Sequence, residues 1–242
     1  MAVKIVIDPG HGGKDPGAIG YDKRTQEADV VLKTGLLVRK HLNRYEGVKC
    51  IMTRDDDTYI SPSRRADIAN DKKAKYFISL HNNAFKDPDA GGFETYIFDG
   101  KVSSNTVKWR DIVHNRLAKY VGGYGIRDRG KKRANFAVLR ETAMPAILIE
   151  MAFITNPREL SLLKSDSFLD GFAKELAAAI AEIFDLKKKT VSEPDSGTVY
   201  NRFYVDGKKI GSFTKHANVV DLVKENLGKY KDKIVIERFV DK

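Results

Sequence analysis

The sequence predicts a three-layer α/β domain, a mostly parallel sheet flanked by helices, followed by a small α+β C-terminal module. Three observations carry that reading. Short runs rich in β-branched and aromatic residues alternate with longer runs whose apolar residues recur every three to four positions, the pattern of strands separated by covering helices. Of the 242 residues, 42% are hydrophobic and 31% charged, enough apolar matter for a core and too much for a disordered chain. The composition changes once, near residue 190, where Thr190-Val191-Ser192-Glu193-Pro194-Asp195-Ser196-Gly197 reads as a polar linker.

The elements follow in order. Residues 3–8 read as a strand ending in Asp8-Pro9-Gly10. Residues 27–44 read as a helix with Ala28, Val31, Leu32, Gly35, Val38 and Leu42 on one face. A strand at 48–53, a helix at 63–73 and strands at 76–80 and 92–98 come next. A helix at 104–121 follows, then strands at 137–139 and 146–150 and two closing helices. The last carries Leu169, Phe172, Ala173, Leu176, Ile180 and Ile183 at helical spacing and ends at Lys187-Lys188-Lys189, cations suited to a helix C-terminus. Beyond the linker, Phe203-Tyr204-Val205 and Ile210-Gly211-Ser212-Phe213 flank Asp206-Gly207-Lys208-Lys209, a hairpin pattern. A helix through Val219 to Leu227 and a strand at 234–236 complete a ββαβ module.

Composition also bounds the function. The net charge of +10 implies a polyanionic environment, whether nucleic acid, membrane surface or anionic cell wall. Residues 191–242 contain ten Lys/Arg against eight Asp/Glu, so +8 of the charge belongs to the large domain. No apolar stretch approaches the roughly 20 residues that a bilayer requires, and the N-terminus lacks the apolar region of a secretory signal. The expectation is a chain made in the cytoplasm and not inserted in a membrane. The single cysteine, Cys50, excludes an internal disulfide or a multi-cysteine zinc site, so a metal would need His and carboxylate ligands.

Groups that carry chemistry gather at the carboxyl edge of an open α/β sheet. His11 follows the first strand, His81 follows Tyr76-Phe77-Ile78-Ser79-Leu80, Glu150 closes Ala146-Ile147-Leu148-Ile149, and Glu27 opens the first helix at the same edge. Two imidazoles and one carboxylate would make the protein ligands of a catalytic zinc, with the other carboxylate left as general base. Plainer readings stand beside this one. Either histidine could be a satisfied polar residue, the glycines around His11 could build a tight turn, and Glu27 could answer a helix dipole. Glu150 resists such a reading, because a carboxylate after so apolar a run is costly to bury unpaired. Gly10-His11-Gly12-Gly13 matches neither a phosphate loop nor a dinucleotide fingerprint.

The other candidates read as structural. His41, His114 and His216 are expected to be surface or satisfied residues, and Trp109 to face the core. Cys50 reads as an inert small hydrophobe in a strand. The basic run Arg127-Asp128-Arg129-Gly130-Lys131-Lys132-Arg133 reads as a solvated loop, without the interleaved aromatics of a single-strand nucleic-acid platform.

Five separated motifs together resemble the zinc-dependent N-acetylmuramoyl-L-alanine amidases of the Amidase_3 type, found among sporulation autolysins and phage endolysins. These are Ile7-Asp8-Pro9-Gly10-His11-Gly12-Gly13 with Asp15-Pro16-Gly17-Ala18; Glu27 at a helix start; Ser79-Leu80-His81-Asn82-Asn83-Ala84; Ala134-Asn135-Phe136-Ala137-Val138-Leu139-Arg140; and Pro145-Ala146-Ile147-Leu148-Ile149-Glu150 with Asn156-Pro157-Arg158-Glu159. The resemblance spans about residues 2–186 and implies a six-stranded sheet. It places the zinc ligands on His11, Glu27 and His81 and the catalytic glutamate on Glu150. Met151-Ala152-Phe153 and Asn83 depart locally from the family pattern, which touches substrate fit more than chemistry.

The implied function is hydrolysis of the amide joining N-acetylmuramic acid to L-alanine of the stem peptide, by zinc-activated water with Glu150 as general base. The implied partners are peptidoglycan and anionic wall polymers, with no nucleic acid, and the implied site of action is the cell wall after release from the cytoplasm. The rivals are a zinc peptidase cutting within the stem peptide and a non-catalytic wall-binding protein, which would be expected to have lost a ligand or Glu150. Residues 198–242 resemble sporulation-related peptidoglycan-binding repeats in their Gly211-Ser212-Phe213 and Ala217-Asn218, though the usual glutamine-valine-glycine-alanine-phenylalanine run is absent. The expected organisation is therefore a zinc amidase domain over 1–189, a linker over 190–197 and a cell-wall-binding module over 198–242. Oligomeric state is not legible.

Overall fold

The computed structural model describes residues 2–189, 199–205, 208–213 and 234–240. Residues 1–189 and 190–242 form two separate units.

In the first unit the described elements are β1 (Val3–Pro9), α1 (Glu27–Leu42), β2 (Val48–Met52), α2 (Pro62–Asp71), β3 (Tyr76–Asn83), β4 (Phe93–Phe98), α3 (Ser104–Gly122), β5 (Asp128–Ala134), α4 (Ala137–Arg140), β6 (Ala146–Phe153), α5 (Pro157–Leu163) and α6 (Asp166–Ile183). The strands form one six-stranded sheet in the order β2-β1-β3-β6-β4-β5. Only the β4–β6 pairing is antiparallel. The predicted fold class therefore holds.

Local chemistry accounts for the helix starts. Ser61, Ser103, Asn156 and Ser165 each accept a backbone N–H of the following turn, and Pro62 and Pro157 occupy first-turn positions where no donor is needed. In α1, Glu27 and Asp29 lie in the first turn and Arg39, Lys40 and His41 in the last, the charge order the helix dipole favours.

The two faces of the sheet are covered unequally. Ile5, Ile7, Ile78, Leu80, Ile147 and Ile149 point into a large core with α1, α3 and α6. Val6, Phe77, Ala146 and Leu148 point into a smaller core shared with Ala69 of α2 and Val138 and Leu139 of α4. The side chains alternate between these two environments, as a strand's period of two requires.

Two expectations fail. Residues 137–139 are helical, within α4, because β6 already has β3 and β4 on its two sides and no open edge remains for another strand there. The basic run expected to be a solvated loop is instead the edge strand β5, paired in parallel with β4. Its backbone completes the open side of β4, and Arg129 and Lys132 find a buried carboxylate there, Glu94. The strands expected at 76–80 and 146–150 also run three residues further, so His81 lies inside its strand rather than beyond it and Glu150 lies mid-strand rather than at its end.

In the second unit, β7 (Val199–Val205), β8 (Lys208–Phe213) and β9 (Ile234–Val240) form an antiparallel sheet in the order β8-β7-β9. The two expected hairpin strands and the final strand correspond to these. The linker at 190–197, the turn at 206–207, His216 and the helix expected over 219–227 lie outside the described residues.

Candidate active site and metal centre

The face of the sheet under α2 and α4 changes character along its length. On β1, Val6 is followed by Asp8; on β3, Phe77 by Ser79 and His81; on β6, Ala146 and Leu148 by Glu150; and on the antiparallel β4, Phe98 is preceded by Tyr96 and Glu94. All of these keep the parity of the smaller core. The apolar half of this face packs on the two helices and the polar half is the site.

His11, Glu27 and His81 meet there, each offering one donor atom, and the three atoms lie within 4.8 Å of one another. Nε2 of His11 and Nδ1 of His81 are each 3.1 Å from Oε1 of Glu27. Glu27 reaches this point from the first residue of α1. There its Oε2 accepts the Ala18 N–H at 3.0 Å and its Oε1 the Asn82 N–H at 2.9 Å. Asp15 Oδ2 lies 2.9 Å from Nδ1 of His11, which directs the other ring nitrogen into the cluster.

Close packing leaves these groups little freedom. A Cβ at Gly10 would lie 2.4 Å from Cε1 of His81, and one at Gly17, whose φ is +66°, would lie 2.8 Å from Oε2 of Glu27. His11 itself has φ 59°, a left-handed conformation that its surroundings must hold. Two buried arginines do so. Arg54 donates to the carbonyls of Pro9, Gly10 and Ala28, and Arg65 to those of Pro9 and His11 and to Asp8. Asp8 also accepts the hydroxyls of Thr53 and Ser79. Arg54 thereby ties the His11 loop to the helix that carries Glu27.

The electrostatics of the cluster favour a cation among its donor atoms. Burial works against ionisation of Glu27, but the two imidazoles outweigh it and hold the carboxyl well below the usual range. Burial likewise lowers the pKa of His11, and hydrogen bonds and charge from Glu27 and Asp15 overcome it and raise the value to about 8. For His81 burial is again outweighed by Glu27, and the net shift is upward. A cation among the three donor atoms would replace the protons that now screen Glu27. Two imidazoles, one carboxylate and an oriented ring nitrogen fit zinc, and among the described residues this is the group of donors able to hold a metal ion.

Glu150 stands opposite His81 in the β3–β6 pairing, just before a register shift that moves Asn83 opposite Phe153. Its Oε2 is buried and has no hydrogen-bond partner. Burial pushes its pKa up, His81 opposes this, and the negative Glu27 and Glu94 reinforce it, so the value reaches about 7. His11, His81, Glu150 and Asp15 line one cleft, whose walls are Tyr59, Ile60, Phe136 and Val138. Such a site presents a metal-competent cluster beside a carboxyl group able to exchange protons near neutrality.

The structure thus brings together all four residues singled out from the sequence. Sequence reasoning missed Glu94, which faces Glu150 across β4 and β6 and receives Asn83, Tyr96, Arg129 and Lys132. It also gave no role to Asp8, Arg54 or Arg65. The one available signal was the parity of Asp8 and Glu94 with apolar positions of the same strands. The remaining described histidines are satisfied core residues: His41 lies 3.0 Å from Asp170, and His114 sits between Thr95 and Asp128. Trp109 packs edge-on against Tyr76 and Phe184. The thiol of Cys50 is pushed up by burial to about 12 and is unreactive.

A six-stranded α/β layer that brings a His-Glu-His donor set and a buried carboxyl to one cleft is an arrangement suited to amide hydrolysis. The chain belongs to the Amidase_3 family, N-acetylmuramoyl-L-alanine amidase, whose model matches residues 5–182. It is 39% identical over 237 residues to the N-acetylmuramoyl-L-alanine amidase CwlM of Bacillus licheniformis, covering 98% of this chain and 85% of that one. It is 44% identical over 192 residues to the endolysin of Bacillus phage SPP1, covering 78% and 69% of the two chains. Among solved structures, the catalytic domain of the amidase CwlV from Bacillus (Paenibacillus) polymyxa var. colistinus superposes with a TM-score of 0.72 at 33% identity, covering 76% of this chain and 99% of that domain. The resemblance carried by the five motifs is borne out, and so is the fold it implied.

Proposed function

We propose that this chain cleaves the amide between N-acetylmuramic acid and the L-alanine of the peptidoglycan stem peptide, with zinc held by His11, Glu27 and His81 and with Glu150 as the proton carrier. Family membership supports the reaction. The single observation that carries the mechanism is the buried, unpartnered Oε2 of Glu150 in the same cleft as the His-Glu-His cluster. When bound, zinc supplies a Lewis acid that polarises the scissile carbonyl and makes water nucleophilic near neutral pH.

The chain's own groups do the rest. Glu150 accepts the proton of the attacking water at Oε2 and returns it to the nitrogen of the departing L-alanine, the double duty of a general acid–base group lining the same cleft as the metal donors His11 and His81. Asp15 keeps the His11 ring in the orientation that directs Nε2 inward. Arg54 and Arg65 hold the backbone on which His11 sits. Tyr59, Ile60 and Phe136 narrow the water around the reacting amide.

Residues 1–189 are the catalytic unit, 190–197 the linker and 198–242 a wall-binding module. The family match ending at 182 and the division of the chain at 189 support this assignment. The chain acts at the cell wall, with peptidoglycan and its anionic polymers as partners. Among the described residues no helix is long and apolar enough to cross a membrane.

Mass spectrometry of digested peptidoglycan tests the reaction, together with metal analysis of His81→Ala. Free lactyl ends with new N-terminal alanine are expected, and the variant should lose its zinc. Cleavage within the stem peptide, or full zinc content in His81→Ala, would refute the corresponding part.

A further inference from the structure

The positive charge of the first unit is concentrated in one stretch. Residues 101–133, from the start of α3 through β5, contain ten Lys/Arg and two Asp/Glu, a net +8, so the rest of residues 1–189 is neutral overall. Folding spends part of that excess. Arg116 pairs with Glu175 and Glu182 on α6, and Arg129 and Lys132 turn inward to Glu94. What stays outside is a strip along the open edge of the sheet, where β5 has β4 on one side only. Arg127, Lys131 and Arg133 are exposed on or beside β5, and Lys101 and Lys108 at the neighbouring start of α3.

The strip keeps its charge. Asp111 is shared by Arg110 and Lys131, and Asp128 faces His114 and the Gly130 N–H, so the two acids of this stretch are already engaged. Lys101, Lys108, Arg127 and Arg133 have no carboxylate partner among the described residues, and Arg133 is pinned by the carbonyls of Phe98 and Gly100 at 3.2 Å each. At that end the strip meets a polar cleft lined by Lys101, Ser103, Thr106 and Thr142. At about 3.3 Å per strand residue, the distance from Arg127 to Arg133 is about 20 Å, long enough for several successive phosphates. None of the residues lining the cleft of His11, His81 and Glu150 belongs to it.

The same surface discriminates among polyanions. Lysine and arginine charges on an edge strand, with Gly130 at φ +91°, oppose the addition of a peptide strand. The strip also has no ring free to stack a base: Trp109 is packed against Tyr76 and Phe184, and Tyr124 against Phe168. A line of cations without rings suits a linear polyanion without bases, whose counterions are released on binding.

We infer that this edge of the sheet, from Arg127 along β5 to Lys101 and Lys108, docks a linear phosphodiester polymer of the wall and holds the catalytic unit there through its own surface. The identity of the polymer rests on the wall reading above; the position of the strip does not.

Calorimetric titration of the full zinc-loaded chain with a glycerol-phosphate oligomer, across a salt series, tests the assignment. Combining Lys101→Gln, Lys108→Gln and Arg127→Gln should weaken binding roughly 10- to 100-fold at low salt and lower the slope of log affinity against log salt by about 2, at about 0.7 per lost phosphate contact. The matching triple Lys49→Gln, Lys72→Gln and Lys75→Gln removes the same charge from exposed positions on the β1–β2 side and should leave binding nearly unchanged. Equal losses in the two triples would show that net charge alone governs binding, and would overturn the strip, as would no loss in the first. Tighter binding of an oligothymidylate than of the glycerol-phosphate oligomer would overturn the choice of partner. Hydrolysis of a soluble muropeptide should be the same in wild type and both triples, since neither touches the cleft. If wild type binds the oligomer as expected but leaves the muramyl amide intact, the amidase reading fails and the docking strip stands.

Discussion

Replacing Glu150 by Gln should separate catalysis from stability and move them in opposite directions at high pH. In the metal-free protein the Glu150 carboxyl titrates at about 7 instead of the usual 4.5, chiefly because burial disfavours its charge. A carboxyl with a raised folded-state pKa contributes stability that is fully present below its unfolded pKa and is lost as pH rises through its folded pKa. A shift of that size corresponds to about 3 kcal/mol at about 1.4 kcal/mol per unit, lost between pH 4.5 and somewhat above 7. The amide cannot ionise, so Glu150→Gln should gain on wild type by up to about 3 kcal/mol across that window. The amide also brings N–H groups to a place where Oε2 now has no partner, which costs about 1–3 kcal/mol at every pH. That constant offset leaves the pH dependence intact.

Denaturant unfolding of chelator-treated protein from pH 4.5 to 8.5, followed by the fluorescence of the single tryptophan, Trp109, reads this directly. His11 titrates in both proteins, while His81 is coupled to Glu150, so the difference between the two curves reads that pair. The same variant, loaded with zinc, should lose roughly 10²- to 10⁴-fold in rate while keeping its metal. Parallel stability curves would refute the buried-carboxyl argument, and activity within a few-fold of wild type would refute the proton-carrier role.

Further outcomes follow from the same geometry. In the metal-free chain the raised pKa of His11, about 8, stabilises the fold below the ordinary value of 6.5 and that contribution is lost as pH rises through 8. Protons and metal compete for that ring, so zinc affinity measured by chelator competition should rise about tenfold per pH unit for each proton displaced and level off above pH 8. Gly10→Ala places a Cβ against His81 and should weaken zinc binding roughly 10- to 100-fold in the same assay; unchanged affinity would mean that the imidazole does not need that space. A chain ending at Lys189 should fold, bind zinc and hydrolyse soluble muropeptides, but should sediment less with whole wall sacculi. Loss of zinc or of thermal stability on truncation would show that the second unit supports the first.

How far the candidate site could be read in advance depended on the range of the interactions involved. His11, Glu27, His81 and Glu150 lie near strand and helix ends, and strand–helix alternation alone sends such ends to one edge of a parallel sheet. The apolar runs before His81 and Glu150 and the dipole-matched start of α1 are local features, and so is the family pattern they compose. By itself, then, the sequence determined the fold class, the four chemical groups and the family. Pairing and packing decided the rest. Whether 128–134 is a loop or a strand depends on the open edge of β4 and on Glu94, some 35 residues away, which accepts Arg129. Whether 137–139 is strand or helix depends on β6 already having two neighbours. The buried network of Asp8, Arg54 and Arg65 joins positions 26 to 71 residues apart, and no periodicity records a contact of that kind. The protonation poise of Glu150 likewise comes from burial and from charges on other strands, terms that exist only once the sheet has assembled.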